Sequence, residues 1–238
     1  MLKNWQEELQ KVARPEKVKI FQSFFKTGKG EYGEGDKFIG VSVPDNRKIA
    51  QKFFQAPFDD ISSMLHNEIL EYRSSALLAL VHRYKKEKNE KAKQEIINFY
   101  LNNCEWCNNW DLVDLSAPYL LGTHMLTNPP TALLENLSSD SNLWCQRIAI
   151  VSTLMLIRHR RFDETLSLCK KYLSHPHPLI HKATGWMLRE IGKKDEHILT
   201  DFLNKHSSEM PRTALRYSLE RLSSEKHQYY MAISKKTK

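Results

Sequence analysis

The amino-acid sequence predicts an all-α protein made of stacked antiparallel helix pairs, which form a curved solenoid with a basic concave face. Glycine is rare, because the 238 residues include only eight, and five of these fall between Gly28 and Gly40. Elsewhere apolar residues recur at intervals of three and four, the spacing of one helix face, as at Ile148, Val151 and Met155. Alternating strand-like runs are essentially absent, so we expect about a dozen helices and no sheet.

An approximate repeat supports the solenoid. A basic residue opens an apolar helix at five places, and Trp110 occupies the equivalent place between the second and the third. The successive intervals are 37 residues from Arg73 to Trp110, 37 from Trp110 to Arg147 and 35 from Arg147 to Lys182. Intervals of this length are typical of helical-pair repeats. Aligned basic residues on the inner helices would form a positive groove, whereas a generic helical bundle would scatter them. The basic positions are Arg47, Arg73, Arg147, Lys182 and Arg212.

Proline residues indicate where individual helices begin, because proline is tolerated in the first helical turn. These positions, in chain order, are Pro15, Pro44, Pro130, Pro178 and Pro211. We expect one domain over residues 1–238, with residues 225–238 as a polar, basic C-terminal tail.

The charge of the chain predicts a polyanionic partner. Lys and Arg number 36 against 28 Asp and Glu, which gives a net charge of +8. Nucleic acid and an acidic membrane surface both fit this charge, and so does a basic protein with no such partner. No apolar segment reaches the ~20 residues of a membrane span. The N-terminus lacks a signal-peptide pattern and cysteines are few, so we expect a cytoplasmic protein with no membrane association.

Two short motifs are predicted to carry no cofactor or metal. Residues 28–33 match G-x-G-x-x-G, but no strand precedes them and Glu31, Glu34 and Asp36 would repel phosphates. We interpret this segment as an irregular loop. Cys104 and Cys107 form a lone C-x-x-C without the second pair that a structural zinc site needs. No metal and no cofactor are therefore expected.

Trp110 and Asp114 are the most informative residues, because residues four apart lie on the same face of a helix. An aromatic ring beside a carboxylate, in a basic chain, suits a site for a cationic group carried by a polyanion. Trp144, Arg147 and Trp186 extend this pattern, since a guanidinium suits a phosphate and an indole suits a sugar or a base. The structural alternative makes the tryptophans core residues and Asp114 a helix-surface aspartate.

Five segments carry a family resemblance. The chain resembles the AlkD-type DNA glycosylases, which remove alkylated bases and consist of HEAT-like helical repeats. The matches keep their order along most of the chain, and one departure is Phe24-Phe25, where family members can carry a tyrosine. The segments are residues 25–41, 109–114, 143–149, 182–190 and 210–217.

The resemblance implies a role for each matched residue. Asp114 would be the catalytic carboxylate, Trp110 and Trp186 would flank the deoxyribose of the lesion, and Arg147 would bind a phosphate. The protein would be a monofunctional glycosylase that acts as a monomer on cationic N3- and N7-alkylated purines in duplex DNA. It would grip the backbone rather than flip the base, and the sequence shows no obvious base-reading pocket. Other expected DNA contacts are Lys182, Arg73, Arg47, Arg212 and Trp144.

Two other functions remain open at this point. A non-catalytic HEAT-like module that binds damaged or branched DNA would share the basic groove but would not need Asp114. A protein-binding solenoid would instead take an acidic peptide. Salt-sensitive binding of duplex DNA would argue against the protein-binding solenoid. Release of the alkylated base would then distinguish a glycosylase from the non-catalytic DNA-binding module.

Overall fold

All the secondary-structure elements that the structure describes are helices, joined by loops. A computed structural model describes residues 1–236, and the side chains of residues 1–233. Within residues 1–236 there is no β-strand, and the one isolated bridge is parallel, between Lys37 and Ile69. The prediction of an all-α protein is confirmed.

The first compact unit comprises Met1–Ser116. Helix α3 packs against α5, and α5 packs against α7, while α1 contacts both α3 and α4. Helices α4 and α6 also contact α5. The helices are α1 (Leu2–Lys11), α2 (Val18–Phe24), α3 (Val43–Ala50), α4 (Phe58–Leu65), α5 (Leu70–Lys86), α6 (Glu90–Asn102) and α7 (Trp110–Ser116).

The second compact unit begins at Ala117. Helix α9 packs against α12, and α12 packs against α14, while α8, α11, α13 and α15 each contact at least one of these three. The helices are α8 (Thr131–Ser139), α9 (Leu143–Ser152), α10 (Leu154–Arg158), α11 (Asp163–Lys171), α12 (Pro178–Lys194), α13 (Glu196–His206), α14 (Arg212–Leu219) and α15 (Ser224–Lys236).

The repeat positions lie on consecutive packed helices within each unit. In the first unit, Arg47, Arg73 and Trp110 lie on α3, α5 and α7, respectively. In the second unit the corresponding helices α9, α12 and α14 carry the remaining three positions, which are Arg147, Lys182 and Arg212. The spacing of the repeat therefore predicts which helices stack on one another.

The single domain over residues 1–238 stays a prediction. The described residues form two compact units, the first of which ends at Ser116. In the expected C-terminal tail of residues 225–238, α15 continues as far as Lys236. Residues 237 and 238 lie outside the described residues.

Local sequence signals explain most helix starts. Pro178 is the first residue of α12 and Pro44 the second of α3, whereas Pro15 begins a short 3-10 helix. Pro130 and Pro211 directly precede α8 and α14. Other helices begin after a side chain that accepts hydrogen bonds from the free backbone N–H groups of the first turn. These capping residues are Asn89, Asn142 and Asp195.

Helix α5 forms the centre of the first unit and is buried along most of its length. It also buries two charged residues, Glu71 and Arg73, which are each 3% exposed. Because buried charges need partners, these two residues organise the polar contacts around the candidate site. Among residues 1–236, no helix is both long enough and apolar enough to cross a membrane.

Candidate functional site

Helix α7 begins at Trp110 because Asn109 caps it. The fully buried Asn109 accepts a hydrogen bond through Oδ1 from the backbone N–H of Asp111 at 3.3 Å. Its Nδ2 donates to Oδ2 of Asp36 at 3.1 Å. One side chain therefore caps the helix that carries Trp110 and Asp114. It also connects that helix to residues 25–42, the glycine-rich loop between α2 and α3.

A buried ion pair joins the same loop to α5. The guanidinium of Arg73 donates to the Asp36 carboxylate, and the two side chains are 4% and 7% exposed. Arg73 also donates to the backbone carbonyl of Asn67 at 2.9 Å. The expected DNA contact of Arg73 needs correction, because its charge is buried and already neutralised by Asp36. Its role in this structure is to hold the loop.

The indole of Trp110 is held in place by three aromatic side chains. Its ring stacks on Phe25 at 5.5 Å between centroids and 29° between planes. Phe24 approaches the ring edge at 5.5 Å. The indole Nε1 donates to the hydroxyl of Tyr32 at 3.0 Å. Tyr32 is a positioning residue that spacing does not reveal, since it lies in the loop and is 78 residues away from Trp110.

Helix α7 carries two carboxylates whose charges interact. Asp114 lies one turn after Trp110, and both are half-buried. Burial, and to a smaller extent the charge of Asp114, raise the pKa of Asp111 to about 6, and the charge of Arg47 opposes this rise. Arg47 is exposed on α3. The first unit therefore combines a fixed indole, two coupled carboxylates and an exposed guanidinium.

The candidate residues of the second unit differ in their exposure. Arg147 is only 4% exposed and donates to the carbonyl of Leu179 at 2.7 Å. A phosphate contact by Arg147 therefore stays a prediction. Trp144 is 8% exposed and belongs to the hydrophobic core, which argues against its expected DNA contact.

Helix α12 presents Lys182 and Trp186 one turn apart, and both are half-buried. The indole Nε1 of Trp186 donates to Oε1 of Glu190 at 3.2 Å, which orients its ring. Arg212 is exposed at the start of α14 and donates to the carbonyl of Met231 at 3.2 Å. These three residues leave cationic and aromatic groups accessible on the second unit.

The glycine-rich loop does not form a phosphate-binding site. The N–H of Gly28 donates to Oε2 of Glu31 at 3.0 Å, and the N–H of Gly30 donates to Oε2 of Glu34 at 2.8 Å. The loop's own carboxylates thus occupy amides that a phosphate would require. The interpretation as an irregular loop is confirmed. Within residues 1–236, no three His, Cys, Asp or Glu side chains are grouped so as to hold a metal ion.

Known proteins provide an independent comparison. The family described as DNA alkylation repair enzyme matches residues 5–222. A solved structure, described as a predicted DNA alkylation repair enzyme from Enterococcus faecalis, is similar with a TM-score of 0.69 and 17% sequence identity. This similarity covers 89% of the present chain and 97% of that chain, and at such identity it shows the fold alone. No curated protein matches significantly. Because the family match covers most of the sequence, the chain belongs to the DNA alkylation repair enzyme family.

Proposed function

We propose that the protein is a monofunctional DNA glycosylase of the AlkD type. Its substrate would be duplex DNA that contains a cationic N3- or N7-alkylated purine, and its product an abasic site for base excision repair. The observation that carries this proposal is the placement of Asp114 one turn after Trp110, whose ring is fixed by Tyr32 and Phe25. Membership in the DNA alkylation repair enzyme family supports it.

The proposed reaction needs only one carboxylate. Alkylation places a positive charge on the purine, so the C1′–N bond breaks with its electron pair going to the base, which leaves neutral. Positive charge then develops on the sugar, where the Asp114 carboxylate stabilises it. Water forms the new bond to C1′, and its proton passes to Asp114 or to solvent. No lysine is required, so the DNA strand stays intact.

By the resemblance, each of the two tryptophans would contribute an indole face that attracts positive charge. An indole face attracts a cation by ~0.5–2 kcal/mol, depending on how dry the site is. Trp110 in the first unit and Trp186 in the second are both half-buried, and hydrogen bonds from both indole N–H groups fix their orientation. Fixed rings act without a reorganisation cost during the reaction.

Basic side chains would bind the DNA backbone. The net charge of +8 provides the long-range attraction, and phosphate contacts then position the duplex. Arg47 and Arg212 are exposed, and Lys182 is half-buried, so these three are the accessible candidates. Arg147 is the fourth, by its resemblance to the phosphate-binding arginine. We further propose that the enzyme works as a cytoplasmic monomer.

The test is incubation of the protein with a duplex that contains one N7-methylguanine, followed by measurement of the free base. The proposal predicts 7-methylguanine release and strand cleavage only after alkaline treatment. An undamaged duplex of the same sequence is the control. Tight, salt-sensitive binding without base release would contradict the glycosylase and support the non-catalytic DNA-binding module.

A further inference from the structure

The first unit contains a cavity of about 530 Å³ beside Trp110, between α2, α3, α5 and α7. No base-reading pocket was expected from the sequence. Aromatic rings form much of its wall, and they pack against one another: Phe25 stacks on Phe38 at 5.5 Å and 16°, and on Trp110 at 5.5 Å and 29°. The aromatic lining residues are Phe21, Phe24, Phe25, Phe38 and Trp110.

The cavity opens to solvent through apolar side chains. Ile20, Phe24 and Val43 line it and are 65%, 61% and 42% exposed, respectively. Large apolar residues that cluster at a concave surface are typical of a ligand site, because the same residues would be buried if they served packing alone. The size and the flat aromatic walls suit a planar ring.

Two carboxylates are among the polar groups of the wall. Asp111 lines the cavity and is half-buried. Glu71 is different, because its carboxylate already accepts from the backbone N–H groups of residues 39, 40 and 41 at 2.8–3.3 Å. Asn46 lines the cavity as well, but its Oδ1 is buried out of reach of a ligand. A ligand with N–H donors would therefore pair with Asp111.

The charge of the lining narrows the class of ligand. The lining contains two carboxylates, Asp111 and Glu71, and one basic residue, Lys17. An anionic ligand is therefore disfavoured, and an uncharged or cationic ring is favoured. A purine base with adjacent N–H groups, such as the guanine N1–H and amino edge, combines a planar ring with two donors for the two oxygens of the Asp111 carboxylate.

We propose that this cavity binds a purine base, with its ring against the Phe and Trp side chains and its N–H edge toward the Asp111 carboxylate. The choice of a purine rests on the proposed function, which releases such a base from DNA. The base could arrive free after release or still attached to DNA as an unpaired nucleotide. Both sources present the same ring and the same donors.

The experiment measures binding of free 7-methylguanine to the whole protein without DNA, by equilibrium dialysis and by saturation-transfer NMR. Caffeine is the matched probe, because it has the purine ring system but no N–H group. We expect 7-methylguanine to bind at least roughly 10-fold more tightly than caffeine, the ratio that one or two hydrogen bonds provide. Equal binding of both probes, or no binding of 7-methylguanine, would overturn the proposal.

Two variants test the location of binding. Val43→Trp places a large ring at the exposed mouth and should reduce 7-methylguanine binding at least 10-fold. Ser63→Trp adds the same ring on the exposed surface of α4 and should leave binding unchanged. Asp111→Asn removes the carboxylate acceptor and should weaken binding roughly 3- to 10-fold. Wild-type affinity in Val43→Trp would show that the base binds elsewhere.

Competition by DNA identifies the source of the base. A duplex with one bulged guanine should displace 7-methylguanine if the cavity takes an unpaired nucleotide, whereas a fully paired duplex should not. Without displacement, the cavity takes the free base alone. Equal displacement by both duplexes would contradict a base-specific site. Because the binding measurement needs no catalysis, loss of the proposed glycosylase activity would leave this result unaffected.

Discussion

The indole Nε1 of Trp110 donates a hydrogen bond to the hydroxyl of Tyr32 at 3.0 Å. This contact connects the glycine-rich loop to the first residue of α7. A second set of contacts anchors the same loop, because the Asp36 carboxylate accepts hydrogen bonds from Arg73 and Asn109. The loop therefore acts as a support for Trp110 and not as a phosphate-binding segment.

Tyr32→Phe should reduce base release several-fold while leaving DNA affinity within about two-fold of the wild type. The variant keeps the ring but removes the hydrogen bond, a loss of ~0.5–1.5 kcal/mol that lets the indole turn. Single-turnover release and DNA binding would be measured side by side, with Tyr229→Phe on the exposed surface of α15 as the control. Equal losses in DNA affinity and in base release would indicate a general structural defect instead.

Arg73→Met should destabilise the protein by about 3–5 kcal/mol, because it leaves Asp36 charged and buried without its partner. Combining it with Asp36→Asn should recover much of this loss. The measurement is the free energy of unfolding in denaturant. Lys37→Met is the matched control, since the Lys37–Glu68 pair is 63% and 61% exposed and should cost under about 1 kcal/mol. If Arg73→Met lowers the free energy of unfolding by no more than the control, under about 1 kcal/mol, the structural role of Arg73 is ruled out.

Asp111→Asn should change how stability depends on pH. Because burial raises the pKa of Asp111 from 3.8 to about 6, its protonated form favours the folded state. That contribution is present below pH ~4 and is lost as the pH rises through about 6. The variant should lack this decline and should be more stable at pH 7.5, by on the order of 1–3 kcal/mol. Parallel profiles of unfolding free energy for the two proteins from pH 4 to pH 8 would contradict the assignment.

Arg147→Ala should weaken duplex binding and lower the slope of log affinity against log salt by about one unit, because one phosphate contact is lost. Fluorescence anisotropy at several salt concentrations measures both quantities. Arg73→Ala provides the contrast: its folded fraction should keep the wild-type slope, since this guanidinium is paired inside the protein. An unchanged slope for Arg147→Ala would mean that Arg147 does not touch the backbone.

Local sequence patterns predicted the helices well because caps, prolines and apolar spacing act within a few residues. They also assigned Arg47, Arg73 and Trp110 to successive packed helices. Spacing failed for the role of Arg73, because its partner Asp36 lies 37 residues away in an irregular loop. Asn109 could have been recognised, since an Asn directly before an apolar helical run is a typical cap.

The cavity beside Trp110 could not be predicted from the sequence. Its walls combine residues from four helices and the loop before α3, and periodicity describes one element at a time. Phe24 illustrates the difficulty. Phe is among the residue types most often buried, yet Phe24 is 61% exposed at the mouth of the cavity.

The most direct measurement is single-turnover release of 7-methylguanine from duplex DNA by the wild type, Asp114→Asn and Asp111→Asn. Asp114→Asn keeps the side-chain shape but removes the charge that stabilises the sugar cation, so release should fall roughly 10²–10³-fold, while DNA binding survives. Asp111→Asn, three residues earlier on the same helix, should lower release far less. Full activity of Asp114→Asn would contradict its assignment as the catalytic carboxylate.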